Sequence, residues 1–406
     1  MLAMVPFCAL LSQCLSSSGS DAKADPRGEI FAGSQKCMKC HSDVYKDYIH
    51  TSHFTSSRLA TAATVHGSFA ESSNAFKFPN GQYLKTEKID SGLVMSAYVD
   101  GKRAATHKFD IVFGNKKAET YLYWEGNQLF EMPLSYFYGL KAWTNSPGYE
   151  SGVIDFNRPI VRRCFECHSS YIAELPQQKI DMAHRTIDFD KSSLVLGIDC
   201  ERCHGPGTNH VNFHEAYPEI KEARYIRTFK SLTRAQKLDA CAVCHSGNKD
   251  VFSRTAFVFK EGDTLAKFKE PNFAHQNLNP STLDVHGNQN GLLAGSKCFI
   301  MSNMDCTTCH NPHKDDAGNL TAYINRCNGC HSDANHNLCK LTPKYGSLIS
   351  NKCIDCHMPA RPSSAIAVEE QGGKQGVPYL VRTHYIAIYP EETKKVLAFV
   401  QGGAVK

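Results

Sequence analysis

Residues 305–313 read DCTTCHNPH, a Cys-x-x-Cys-His motif followed by a second histidine three residues after the first. The motif occurs seven times in the 406 residues: CMKCH at 37–41, CFECH at 164–168, CERCH at 200–204, CAVCH at 241–245, CTTCH at 306–310, CNGCH at 327–331 and CIDCH at 353–357. The cysteine and histidine content of the chain predicts roughly 0.04 matches by chance. The repeated motif therefore has a function.

Two cysteines three positions apart, with histidine directly after them, are typical of covalent haem attachment. The thiols bond the two vinyl groups on one edge of the porphyrin, and the adjoining imidazole becomes the proximal iron ligand. Zinc sites also use Cys-x-x-Cys pairs, but they combine four ligands and do not explain a histidine after every pair. Disulfide scaffolds and thioredoxin-like redox pairs leave the histidines without a role. The sequence predicts seven c-type haems.

We number the seven sites in chain order. The predicted attachment residues are Cys37, Cys40, Cys164, Cys167, Cys200, Cys203, Cys241, Cys244, Cys306, Cys309, Cys327, Cys330, Cys353 and Cys356. The predicted proximal ligands are His41, His168, His204, His245, His310, His331 and His357.

The second histidine of the opening stretch points to ligation on the far side of an iron. His313 cannot reach the far face of the haem held by Cys306 and Cys309, because three residues cannot carry the chain around the ring. The intervening Asn-Pro is a turn signal. We therefore expect His313 to be the distal ligand of a neighbouring haem, with a solvated surface histidine as the alternative.

Twelve histidines lie outside the motifs, enough for a distal ligand at every iron. The predicted distal ligands are His53, His184, His210, His286, His313, His336 and His384. His107 lies in a strand pattern and is expected to be an ordinary side chain. His50, His66, His214 and His275 are left open. Bis-histidine ligation favours low reduction potentials relative to His/Met ligation.

Four cysteines lie outside the motifs. Cys298 and Cys339 flank the fifth and sixth motifs, and a disulfide between them is expected because haem is attached outside the cytoplasm, with two free thiols as the alternative. Cys8 and Cys14 belong to an N-terminal stretch, residues 1–20, whose short apolar run is typical of a signal peptide. Cys14 follows a sequence similar to a lipoprotein cleavage box, so both lipidation and plain cleavage remain open.

The composition excludes some classes of function. The net charge is +5, with 45 basic and 40 acidic residues that are not arranged in a basic stripe, so nucleic acid is not an expected partner. No stretch approaches eighteen apolar residues, so we expect a soluble or lipid-tethered mature chain.

The motifs are unevenly spaced, which predicts the organisation of the chain. A first haem segment spans 21–60, a β-rich insertion 61–160, a haem-rich domain with six haems 161–361, and a C-terminal segment packing back on it 362–406. Alternating apolar and polar residues around Asn-Gly and Asp-Gly turns predict about five strands between Phe76 and Pro133, in one small antiparallel sheet. The expected fold class is α+β, with mostly short helices and irregular loops around a stacked haem core. Because the haems supply that core, we expect the chain without haem not to fold compactly.

GIDCERCHGPGTNH at 197–210, CTTCHNPH at 306–313 and CIDCHMP at 353–359 resemble the multihaem cytochromes c grouped with the nitrifiers' tetrahaem cytochrome and hydroxylamine oxidoreductase. The resemblance covers roughly residues 30–60 and 160–390 and implies distal roles for His210 and His313. The Cys-x-x-Cys-Lys motif of pentahaem nitrite reductases is absent, and no tyrosine can be identified as the cross-linking residue of hydroxylamine oxidoreductase.

Three functions are compatible with this reading. The first is electron transfer, without catalysis, between extracytoplasmic redox proteins or neighbouring cytochromes, in the periplasm, outer membrane or cell surface of a bacterium. The second is an enzyme with one open iron, at the Cys37/Cys40 site, acting on a small nitrogen or sulfur compound. The third is a homo-oligomeric, extracellular conducting filament.

Overall fold

The computed structural model describes residues 24–176, 186–247, 252–269, 279, 282–335, 338–373 and 376–402. The helices in these ranges are short, and the longest has twelve residues. They are α1 (Ser34–Cys40), α2 (Ser42–Tyr48), α3 (Arg162–His168), α4 (Cys200–His204), α5 (Thr208–Ala216), α6 (Arg234–His245), α7 (Gln289–Ala294), α8 (Lys297–Ile300), α9 (Leu320–Asn328), α10 (Thr342–Tyr345), α11 (Cys353–His357) and α12 (Pro390–Val400). None of these helices is long and apolar enough to cross a membrane.

All paired strands in the described ranges are antiparallel. They are β1 (Ser57–Leu59), β2 (Ala75–Lys77), β3 (Tyr83–Ile89), β4 (Gly92–Val99), β5 (Lys102–Lys108), β6 (Ile111–Phe113), β7 (Ala118–Glu125), β8 (Gln128–Phe137), β9 (Ala142–Asn145), β10 (Arg158–Pro159), β11 (Ser169–Glu174), β12 (Phe189–Leu196), β13 (Ala360–Val368) and β14 (Val377–Arg382). The expected α+β class, with short helices and small antiparallel sheets, is confirmed.

The β-rich part contains two sheets where the sequence predicted one. Seven strands, β2 to β8, replace the expected five. Strands β2-β3-β4-β5 form one sheet, and β1-β6-β7-β8-β10, with β9 beside β8, form the other. The Asp-Gly turn between β4 and β5 has the expected geometry, with positive φ at Asp100 (51°) and Gly101 (72°). The chain passes from the four-stranded sheet to the six-stranded sheet at Phe109 and Asp110. This crossing allows each sheet to bury one apolar face.

The two sheets enclose a hydrophobic core of their own. Its fully buried members include Phe76, Leu84, Met95 and Tyr121, with Trp143 at its edge. The other face of the six-stranded sheet packs on α3 and the β11–β12 hairpin through a second cluster. The six-stranded sheet is therefore covered on both faces, and it lies directly on the helix that carries the second motif.

The motif-bearing part is built differently. The first four motifs and the seventh lie on the helices α1, α3, α4, α6 and α11, respectively. The fifth motif forms a 3-10 turn, and the sixth begins at the end of α9. From residue 282 onward, the buried hydrophobic side chains of the described ranges are few and belong to no cluster: Val285, Leu292, Ile324, Ile349, Ile354 and Val368. A core supplied by haem would account for this scarcity.

Two hairpins were not predicted. β11–β12 follows the second motif, and β13–β14 follows the seventh. The second hairpin reaches the β-rich part, where Glu369 accepts hydrogen bonds from Asn145 (3.1 Å) and Ser151 (2.6 Å). The C-terminal segment also contacts the motif-bearing part, because Ser296 Oγ accepts a hydrogen bond from the backbone of Ile386 (2.8 Å).

The β-rich part has a core of its own, so the expectation that the chain does not fold compactly without haem applies to the motif-bearing part. We expect a haem-free fragment of residues 54–198 to unfold cooperatively, because it contains the six-stranded sheet and the packing on both of its faces. Its two tryptophans, Trp124 and Trp143, report the transition by fluorescence. Replacing the fully buried Phe76 with alanine should lower the free energy of unfolding by about 3–5 kcal/mol.

A haem-free fragment of residues 282–402 is the matched comparison and should show no cooperative transition by circular dichroism. A gradual, non-cooperative melt of the 54–198 fragment would contradict the assignment of an independent core.

Candidate haem-binding sites

Four motif histidines face a second histidine ring from a distant segment. The ring centroids of His41 and His210 are 6.4 Å apart, and their planes differ by 12°. The other three pairs are His204 with His313 (5.8 Å, 9°), His310 with His384 (6.1 Å, 26°) and His245 with His53 (6.1 Å, 84°). Each pair joins one motif histidine to one predicted distal histidine.

The spacing of these pairs fits a metal ion held between two imidazoles. A metal–nitrogen bond is about 2 Å and each ring centre lies about 1 Å behind its nitrogen, so two opposed ligands hold their centroids roughly 6 Å apart. Rings in direct contact would lie closer. The residues present therefore fit bis-histidine haem. The described ranges contain no group of three or more His, Cys, Asp or Glu side chains arranged to hold a metal ion directly, as zinc would require.

The second motif histidine lies close enough to His286 for the two rings to interact electrostatically. Burial, and then the nearby His286, lowers the pKa of His168 to about 4. The ring of His168 also stacks on Phe113 of β6, with centroids 4.9 Å apart and planes within 8°. The β-rich part thus supports the second motif directly. Predicted ligands His184 and His336 lie outside the described residues.

Burial keeps two of the predicted distal histidines, His53 and His384, neutral, which is the form that binds metal. It lowers the pKa of His53 to about 4, and the neighbouring His245 contributes in the same direction. It likewise lowers the pKa of His384 to about 4, with a contribution from His310. These rings therefore remain unprotonated at neutral pH.

One motif histidine and one predicted distal histidine are each oriented by a hydrogen bond at Nδ1. Nδ1 of His357 donates to the carbonyl of Ala387 (2.8 Å), and Nδ1 of His210 donates to that of Arg224 (2.8 Å). Such bonds set the tautomer and orientation of a metal-binding imidazole. They leave Nε2 as the free ligand atom.

The histidines left open or expected to be ordinary have other surroundings. His107 packs against Tyr123 and Phe156, with ring centroids 4.0 and 4.5 Å away. Nδ1 of His66 contacts the buried carboxylate of Glu119 (2.6 Å). His50 is exposed and His214 lies against His210, while His275 falls outside the described residues.

Cysteines of different motifs touch one another. Three thiol pairs lie in hydrogen-bond contact: Cys37 with Cys200, Cys167 with Cys244 and Cys241 with Cys306. In three further pairs, burial raises the pKa of one thiol and the sulfur of a cysteine in another motif raises it further. These pairs are Cys203 beside Cys244, Cys309 beside Cys330 and Cys327 beside Cys353. Three of these pairs are thiol contacts, and in the other three the sulfurs of different motifs lie near enough to interact electrostatically.

The expected disulfide is not formed in the structure, where Cys298 and Cys339 are both free thiols. Their neighbours differ. Burial raises the pKa of Cys298, with Cys330 contributing. Burial also raises the pKa of Cys353, with Cys339 contributing. Cys298 thus lies near the fifth and sixth motifs, and Cys339 lies near the seventh. Cys14, the lipidation candidate, lies outside the described residues.

A buried carboxylate inside the third motif ties it to the first motif. Glu201 Oε1 accepts hydrogen bonds from the backbone N–H groups of Ala32 (2.8 Å) and Gly207 (2.7 Å), and Oε2 accepts from Gly33 (2.8 Å) at the start of α1. Arg27 closes the network through Asp199 (2.6 Å). We did not predict this contact. Its only sequence signal is an acidic residue between the cysteines of CERCH.

Gly197 positions the segment of His53, whose ring lies opposite His245. Its φ is +66°, and a Cβ there would overlap the carbonyl oxygen of Phe54. The next residue, Ile198, donates its backbone N–H to the carbonyl of His53 (2.9 Å). Glycine is therefore required for the chain before the third motif to pack against the His53 segment.

Comparisons with known proteins add a likeness of fold. No model of a known protein family matches the chain, and no curated protein does. Among solved structures, the chain is similar to the outer cell wall cytochrome OcwA, with a TM-score of 0.57 and 16% identity over 93% of this chain and 84% of that one. The chain therefore shares its fold with a cytochrome. This likeness does not test the resemblance of the motifs to the nitrifiers' group.

Replacing His313 with alanine should remove one of the two rings at the third site. If haem is bound there, its iron should change from low-spin to high-spin, seen by electron paramagnetic resonance (EPR) of the oxidised protein. His66→Ala is the matched control, because His66 contacts Glu119 rather than a motif histidine. An unchanged spectrum of H313A with a full haem complement would exclude His313 as a ligand.

Gly197→Ala should displace the His53 segment and convert the fourth site to high-spin iron. Gly205→Ala is the control, since Gly205 also has positive φ (+74°) but no atom within 4 Å of an added Cβ. The control should carry only a backbone cost of about 1–2 kcal/mol. Equal spectra for the two variants would refute the positioning role of Gly197.

Proposed function

We propose that the chain is a multihaem cytochrome c that transfers electrons through seven covalently bound, mainly bis-histidine haems between redox partners outside the cytoplasm. The observation that carries the proposal is the set of opposed histidine pairs, each made of a motif histidine and a histidine from a distant segment. Each haem, when bound, supplies one-electron oxidation and reduction. The fold shared with a cytochrome supports the same conclusion.

The pairs support specific distal ligands. We assign His210 to the first site, His313 to the third, His53 to the fourth and His384 to the fifth. His286, the neighbour of His168, is assigned to the second. His184 and His336 remain the proposed ligands for the two other sites.

The contacts among attachment cysteines support an order for the sites. They connect the first site to the third, the third to the fourth, the fourth to the fifth, the fifth to the sixth and the sixth to the seventh. The second site is connected to the fourth as a branch. In the haem-bearing protein these sulfurs are thioethers on the porphyrin edge, so neighbouring sulfurs bring neighbouring porphyrin edges together. Electron exchange follows from this proximity.

The partners are proposed from the same observations. A connected set of sites needs a donor and an acceptor, and these are redox proteins or neighbouring cytochromes. The outer-cell-wall location in the name of the similar cytochrome supports placing this chain outside the cytoplasm, at the cell surface.

An enzyme with one open iron is the alternative. We had expected its site at the first motif, but His210 faces His41 there. An open iron would have to lie at a site for which the described residues provide no opposed histidine ring, such as the seventh, at His357. Such an enzyme would act on a small nitrogen or sulfur compound.

The deciding experiment combines mass spectrometry with EPR of the purified, exported protein. We expect seven covalent haem adducts and only low-spin ferric signals. A high-spin signal that responds to nitrite, hydroxylamine or carbon monoxide would favour the enzyme instead. Fewer than seven adducts, or zinc in place of iron, would overturn the proposal.

A further inference from the structure

The segment at residues 53–58, which contains the start of β1, contacts two of the proposed haem sites. At its beginning, the ring of His53 lies 6.1 Å from that of His245. Three residues later, Ser56 Oγ donates a hydrogen bond to the backbone carbonyl of His168 (2.8 Å), the motif histidine of the second site. The backbone N–H of Ser56 donates to the carbonyl of His53 (3.2 Å). The segment therefore connects the second site to the fourth.

Arg58 anchors the other end of this segment. Its guanidinium donates hydrogen bonds to three backbone carbonyls: Nη1 to those of Thr55 (3.0 Å) and Gly114 (2.5 Å), and Nε to that of Thr64 (3.0 Å). Gly114, which follows β6, also donates its backbone N–H to the carbonyl of Ser56 (2.8 Å). One side chain thus fixes the backbone on both sides of β1 and attaches it to the neighbouring strand.

A buried carboxylate of the β-rich part fixes this guanidinium. Nη2 of Arg58 forms an ion pair with Glu119 of β7, whose side chain is fully buried, while that of Arg58 is only 13% exposed. The same carboxylate accepts hydrogen bonds from the hydroxyls of Tyr121 (2.7 Å) and Tyr138 (2.6 Å) and from the backbone N–H of His66 (3.0 Å). Because little water competes with these bonds, the ion pair is strong and has a defined orientation.

We infer that the Arg58–Glu119 ion pair positions the distal histidine of the fourth site, so that the β-rich part sets the ligand geometry there. The backbone from Arg58 to His53 is short and is hydrogen-bonded at Thr55 and Ser56, so a shift of β1 reaches the imidazole. The contacts of Arg58 described above reach the backbone rather than a histidine ring, which makes it a positioning residue. This inference rests on the proposed function, in which His53 is an iron ligand.

The fourth site can be followed by itself in the test. The rings of His53 and His245 are nearly perpendicular, at 84°, whereas the other three opposed pairs lie within 26° of parallel. The angle between two axial imidazoles affects how the iron d orbitals split, so this site should have a low-spin EPR signal distinct from those of the parallel pairs. His53→Ala identifies the signal, because it removes one of the two rings.

The decisive variant is Arg58→Gln, which removes the charge and the forked donor. We expect the fourth-site signal to be lost or moved to different g-values, while the signals of the parallel pairs stay unchanged. Arg158→Gln is the matched control. Arg158 lies in β10 at the far edge of the same sheet, pairs with Glu131 (3.3 Å) and donates to the carbonyl of Pro147 (2.8 Å). The control should lower the melting temperature without changing the fourth-site signal.

An Arg58→Gln protein with seven haems and an unchanged fourth-site signal would overturn the inference, as would an equal change in Arg158→Gln. If Arg58→Gln does not retain all of its haems, Glu119→Gln takes its place, because it removes the charge of the carboxylate and keeps the shape of the side chain. The same two outcomes then decide. The proposed function fails separately, through the haem count or spin state of the wild-type protein.

Discussion

The structure of the motif-bearing part depends on pairs of imidazole rings brought together from distant segments and held about 6 Å apart. Two neutral rings at that distance attract each other weakly, and closing the long loops between them costs conformational entropy. A group bonded to both rings would account for these pairs. A haem would join the two segments through its iron and a third position through its thioethers. Each site then acts as a cross-link, in a region with few buried apolar side chains of its own.

The β-rich part is stabilised by a different interaction, the packing of its own side chains. Its two sheets bury aromatic and aliphatic side chains against each other, as in an ordinary globular domain, and the outer face of one sheet packs on α3. Phe113 stacks on the histidine of the second motif, and Glu369 connects the C-terminal hairpin to Asn145 and Ser151. The sheets thus provide a rigid support against which the second site and the end of the chain are positioned.

Contacts between motifs connect the separate attachment positions in one network. Glu201 and Arg27 join the first and third motifs through buried hydrogen bonds, and sulfur contacts join the remaining motifs. Distal histidines add to this, because His53 follows the first motif yet faces the fourth, and His313 follows the fifth yet faces the third. Moving one segment would disturb two sites at once, so neighbouring sites are mechanically linked.

The sequence by itself determined the seven attachment motifs, their proximal histidines and the hairpin turns, because each is encoded within a few neighbouring residues. It also identified His313 as facing away from its own motif, through the turn at Asn311-Pro312. Only the tertiary structure decided which histidines oppose each other, where the chain passes from one sheet to the next, and that Cys298 and Cys339 have different neighbours. Those features depend on segments distant in sequence, whose approach is governed by packing and loop closure rather than by local pattern.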